Sequence, residues 1–81
     1  MFHKIKKVEA LEDLILEVEF IDGTIKLYDI KKIMNKWKVF ELLKDIELFE
    51  KVKVDQGGYG ISWSEDIDLE CNEIWEHGII K

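Results

Sequence analysis

The segment Leu14–Asp29, LILEVEFIDGTIKLYD, constrains this chain more than any other. Leu14, Leu16, Val18 and Phe20 alternate with mostly polar positions, which is the period of a strand. Asp22-Gly23 is a preferred pair for a two-residue hairpin turn. Such a turn predicts the pairs Ile21–Thr24, Phe20–Ile25, Glu19–Lys26 and Val18–Leu27. In that register Val18, Phe20, Ile25 and Leu27 share the core face, with Glu19 opposite Lys26 on the other. Tyr28 is then expected on the polar face.

The rest of the chain is read outward from this hairpin. Residues 3–10, HKIKKVEA, form a preceding strand in which Ile5 and Val8 have opposite parity, so a bulge or a two-sided strand is expected. Leu11-Glu12-Asp13 is the turn between the two. Asp29 is placed to cap a short helix through about Met34, with Ile30, Ile33 and Met34 on its apolar side. Asn35 stops it. A second helical stretch is predicted over Lys38 to Lys44, and Asp45 caps one more turn carrying Leu48 and Phe49. Residues 51–55, KVKVD, read as a strand, followed by the turn signal Gln56-Gly57-Gly58. Tyr59, Ile61 and Trp63 alternate in the next strand, where Gly60 signals a bulge or a close backbone approach. Ile67 and Leu69 mark a short extended piece, and residues 71–77 a final helix ended by Gly78.

This order predicts a single α+β domain spanning residues 1–81. Its sheet is mainly antiparallel, with about five to six strands and two or three short helices. The longest uninterrupted apolar run is Leu14-Ile15-Leu16, too short to span a membrane. The N-terminal residues lack the apolar core of a signal peptide. A lone cysteine, Cys71, cannot form an internal disulfide, so a cytoplasmic setting is expected.

Charge is unevenly spread. The formal net charge is −6, and all 12 basic residues are Lys. Residues 39–81 hold four Lys against 11 acids. Arg is the usual bidentate reader of guanine and phosphate. Direct nucleic-acid binding is therefore not expected. A basic protein partner suits the charge better.

Six carboxylates crowd the segment WSEDIDLECNEIWEHG, residues 63–78. A calcium loop starting at Asp66 would need Gly at 71 and Glu at 77, but Cys71 and His77 stand there. Structural zinc needs four ligands, whereas the chain has one Cys and two His. Cys71 and His77 are six positions apart and do not face each other on a helix. A glycosidase would need a cleft between two acids, for which the short loops leave little depth. No cofactor, metal or catalytic residue is expected. Asp66, Asp68 and Glu70 instead share the outer face of an extended segment, while Ile67 and Leu69 point inward.

Surface aromatics are the remaining interaction candidates. Trp37, in the Lys-rich stretch Lys31 to Lys38, is expected to be exposed. An exposed Tyr28 beside Tyr59 or Trp63 would form an aromatic patch suited to self-association. The expected protein-binding surface comprises Trp37, Tyr28, Tyr59, Asp66, Glu70 and Glu73. Open sheet edges also invite a homodimer.

The segments FIDGTIKLYD (Phe20 to Asp29), LFEKVKVD (Leu48 to Asp55) and ISWSEDIDL (Ile61 to Leu69) together give the chain a family likeness. It resembles the bacterial domains grouped as domain of unknown function 2442. Phe20, Asp22, Gly23 and Asp29 match that family's F-x-D-G hairpin and following Asp. Trp63, Asp68 and Leu69 match its late motif. Ser64-Glu65-Asp66 replace the Pro- and Gly-containing turn common there. The resemblance implies a small α+β domain found alone or joined to a helix-turn-helix domain, and in some cases encoded beside a second small protein in a toxin–antitoxin-like pair. It implies an accessory or regulatory module and transfers no catalytic residue. A DNA-associated regulator is the alternative, and a small enzyme the third reading.

Overall fold

The computed structural model describes residues 2–81. Among the described residues, seven strands run in chain order: β1 (Ile5–Ala10), β2 (Ile15–Phe20), β3 (Ile25–Asp29), β4 (Lys53–Val54), β5 (Gly60–Ser64), β6 (Ile67–Glu70) and β7 (Ile79–Ile80). Two α-helices, α1 (Ile46–Phe49) and α2 (Cys71–His77), join short 3₁₀ segments at Glu12–Leu14, Ile30–Ile33, Lys38–Lys44 and Gln56–Gly58. The fold is α+β and its sheets are antiparallel. The strands divide into two sheets, ordered β1-β2-β3-β7 and β4-β5-β6. Among the described residues, no helix is long and apolar enough to cross a membrane.

The β2–β3 hairpin forms where the sequence places it, but its register is shifted by one residue. Glu19 pairs with Ile25, Val18 with Lys26 and Leu16 with Tyr28. Of the two turn residues, Gly23 adopts a left-handed conformation, at φ 93°, and Asp22 does not. A two-residue type I′ turn would require both. The chain instead makes a three-residue loop, in which Gly23 N–H donates to Phe20 O at 2.9 Å and Phe20 N–H to Thr24 O at 2.8 Å. The Asp22 carboxylate accepts from Thr24 N–H at 2.9 Å. That bond holds its carboxyl below the ordinary carboxylate range.

A slip of one residue turns a strand over. Tyr28 and Lys26 therefore face the interior with Leu16 and Val18, while Ile25 and Leu27 take the other face. Tyr28 is only 3% exposed, which corrects its expected place on the polar surface. The Lys26 ammonium lies over the Trp75 ring, 4.2 Å from its centroid, and donates to Trp75 O.

Local signals are met elsewhere. A register shift between Ile5 and Lys7 lets Ile5, Val8 and Ala10 pair with Phe20, Val18 and Leu16 despite their parity. Leu14 lies in the turn before β2, at φ 57°, rather than in the strand. Asp29 and Asp45 cap their segments by accepting from Lys31 N–H at 2.9 Å and Glu47 N–H at 3.1 Å. One core gathers Leu16, Val18 and Phe20 from the first sheet, Ile61, Trp63, Ile67 and Leu69 from the second, and Phe40, Leu43, Phe49 and Ile74 from the helical segments. Trp63 Nε1 donates to Phe49 O at 2.9 Å, so its one polar atom is satisfied inside that core.

Candidate interaction cleft

Two unrelated stretches of chain meet at α2. Trp37 follows the Ile30–Ile33 segment, where Lys36 and Trp37 N–H groups both donate to Ile33 O, at 3.1 and 3.0 Å. These bonds close the segment and project the indole outward. Its ring meets Phe40 edge-on at a centroid distance of 6.2 Å, and Trp37 remains 38% exposed. Opposite it, β6 buries Ile67 and Leu69 and turns Asp68 and Glu70 to solvent, as strand alternation requires. Asp66 sits in the turn before β6, its N–H donating to Ser64 Oγ at 3.3 Å. Glu73 comes from the first turn of α2.

Between them lies a cleft of about 430 Å³. Trp37, Val39, Phe40 and Leu69 form its apolar wall, and Asp66, Asp68, Glu70 and Glu73 its acidic side. No Lys or His lines it. Among the described residues, Asp66, Asp68 and Glu70 have no cation within ion-pair distance. Their charges therefore add to one negative field. Among the described residues, no three His, Cys, Asp or Glu side chains converge as metal ligands would.

Glu73 differs from the other acids. Its Oε2 accepts from the Tyr28 hydroxyl at 2.8 Å and lies 3.2 Å from His77 Nδ1. Burial and the neighbouring carboxylate push the Tyr28 phenol well above its ordinary range.

Four of the six residues expected from the sequence thus line one cleft: Trp37, Asp66, Glu70 and Glu73. Tyr28 touches that group only through Glu73, from inside the fold. Tyr59 stands apart, its ring edge-on to Phe2 at 5.4 Å and 5.0 Å from the Lys4 ammonium. The aromatic patch expected from Tyr28 with Tyr59 or Trp63 does not form, because Tyr28 and Trp63 are both buried. By sequence alternation Tyr59 belongs in one strand with Ile61 and Trp63. It instead ends the Gln56–Gly58 segment at φ −82°, ψ −6°, before β5 begins. Gly60 makes the close approach its position signals, since a Cβ there would lie 2.5 Å from Leu69 O.

Cys71 is fully buried, and burial raises its thiol above the ordinary range. His77 is turned to Glu73. Sequence reasoning passed over Val39 and Phe40 as cleft wall, which no local pattern marks. The Glu73–His77 contact does have a signal, the i,i+4 spacing of an acid and a histidine.

The fold and cleft define a small α+β domain that presents a half-exposed tryptophan against unpaired carboxylates. A sequence profile described as protein of unknown function (DUF2442) matches residues 5–79. The chain belongs to that family. No curated protein and no solved structure matches it.

Proposed function

We propose that this domain is an accessory or regulatory module that acts by binding another protein, in the manner of an antitoxin, in a cytoplasmic setting. The cleft receives a Lys- or Arg-rich segment of that partner. One observation carries this reading: the unpaired Asp66, Asp68 and Glu70 face an apolar wall that ends in the half-exposed Trp37. A cation is attracted to an indole face, and long basic side chains lay their stems on apolar surface while their heads stay charged. Trp37 supplies the anchor, and the carboxylates chiefly raise the association rate and fix orientation. A second copy of the chain has a separate surface at edge strand β7, where Ile79 and Ile80 are 63% and 70% exposed.

The test is recovery of the tagged domain from its native cells, beside Trp37→Ala and the double variant Asp66→Lys/Glu70→Lys. The expected result is one basic protein recovered in fixed ratio with the parent and lost with both variants. Elution of the parent alone, or retention of the partner by both variants, overturns the reading.

A further inference from the structure

A second recess lies on the other side of Glu73. It encloses about 490 Å³, within the range of roughly 300–1,000 Å³ typical of small-molecule sites. Leu27, Ile33 and Ile79 give it an apolar floor. It arises where β7 stops: β7 pairs only with Lys26 and Leu27, so β3 continues past it towards α2 and the Ile30–Ile33 segment.

The charged groups around this recess are unequal. Both carboxylates are already engaged. Asp29 Oδ1 accepts from Lys31 N–H at 2.9 Å and pairs with the Lys31 ammonium at 3.0 Å. Glu73 Oε2 is held by Tyr28 and faces His77. The two ammonium groups are free of such partners. Among the described residues, neither Lys32 nor Lys36 has a carboxylate within ion-pair distance. Lys36 has only the Trp37 ring, 4.4 Å from its ammonium.

We propose that this recess binds a small monocarboxylate with an apolar body. The body lies on Leu27, Ile33 and Ile79, and the carboxylate is gripped by Lys32 and Lys36. A dianion fits less well, because Asp29 and Glu73 stand in the same wall and would repel the second charge. A peptide added as a strand is also disfavoured, because β7 already occupies the β3 edge at Lys26 and Leu27. Drawing Lys36 towards a ligand uncovers the Trp37 ring.

The proposal is tested by titrating the isotope-labelled domain with 4-phenylbutyrate and with its neutral analogue 4-phenylbutanol, following amide and indole resonances. Expected are shifts centred on Leu27, Lys32 and Ile79, a further shift at the Trp37 indole with the acid only, and about five- to tenfold tighter binding of the acid. High salt removes that preference. So does Lys32→Ala/Lys36→Ala, with binding of the alcohol unchanged and the amide spectrum still that of the folded protein. Equal affinity for acid and alcohol, a preference that survives in the double variant, or no localised shift at about millimolar ligand overturns the proposal.

Discussion

The Tyr28 hydroxyl donates to Glu73 Oε2 at 2.8 Å, joining β3 to α2 across 45 positions of sequence. The phenol is the donor, so the bond exists only while it is protonated. Removing it by Tyr28→Phe leaves Glu73 short of a partner and is expected to cost about 1–2 kcal/mol, since the acceptor is charged. The pH dependence has a definite sign. Burial raises the phenol above its ordinary value of 10.0, so above that pH the folded chain holds a proton that the unfolded chain has released. Stability must then fall as pH rises past the ordinary tyrosine range. Urea midpoints measured from neutral to strongly alkaline pH should show this decline in the parent and a shallower one in Tyr28→Phe. Parallel curves would refute the assignment.

Lys26 owes its buried place to the same one-residue shift that puts Tyr28 inside. Its ammonium donates to Trp75 O and lies against the Trp75 ring, so it ties the hairpin to the end of α2. Lys26→Met keeps the stem and loses the charged contacts, at an expected cost of about 1–2 kcal/mol. Lys26→Glu sets an unpaired carboxylate against a carbonyl oxygen and should cost about 3 kcal/mol or more. Thermal or urea unfolding ranks the two. If Lys26 stood on the outer face, as the two-residue turn predicted, both changes would fall within about 0.5 kcal/mol of the parent.

These two residues also mark the limit of what was legible in the sequence. Element type and order followed from local chemistry: the Asp29 and Asp45 caps, the Gly57-Gly58 turn, and the alternation of Ile67 and Leu69. Hairpin register did not, because it rests on whether Asp22 joins Gly23 in the left-handed region. The Asp22 side chain decides that by accepting from Thr24. Strand β7 was missed because Ile79-Ile80 is too short to show any period and finds its partner in the distant β3. The outward direction of Asp66, Asp68 and Glu70 could be read from alternation. Their meeting with Trp37 depends on how the Ile30–Ile33 and Lys38–Lys44 segments pack over the core, and no local signal encodes that.

Gly23 and Gly58 separate conformational strain from steric strain. Both are left-handed, at φ 93° and 80°. A Cβ on Gly23 would meet nothing within 4 Å, whereas one on Gly58 would lie 2.6 Å from Ile5 O. Gly23→Ala should therefore cost about 1 kcal/mol, the penalty of the backbone conformation alone. Gly58→Ala must also push apart the segment before β5 and strand β1, and should cost about 3 kcal/mol or more. Equal urea midpoints for the two variants would show that β1 yields freely at this contact.

Cys71 provides a probe of the core where the second sheet passes into α2. Its side chain is fully buried, its N–H donates to Tyr59 O at 2.9 Å, and burial raises its thiol. The thiolate is the reactive form, so both access and ionisation oppose attack in the folded state. Reaction with a disulfide reagent near neutral pH should be roughly a thousandfold slower or more in the native protein than in denaturant, because it must await opening of the core. The rate should rise much more in Gly58→Ala, whose strain lies in the adjoining segment, than in Gly23→Ala. A native thiol that reacts as fast as the unfolded one would place Cys71 at the surface and contradict the packing of β6 onto α2.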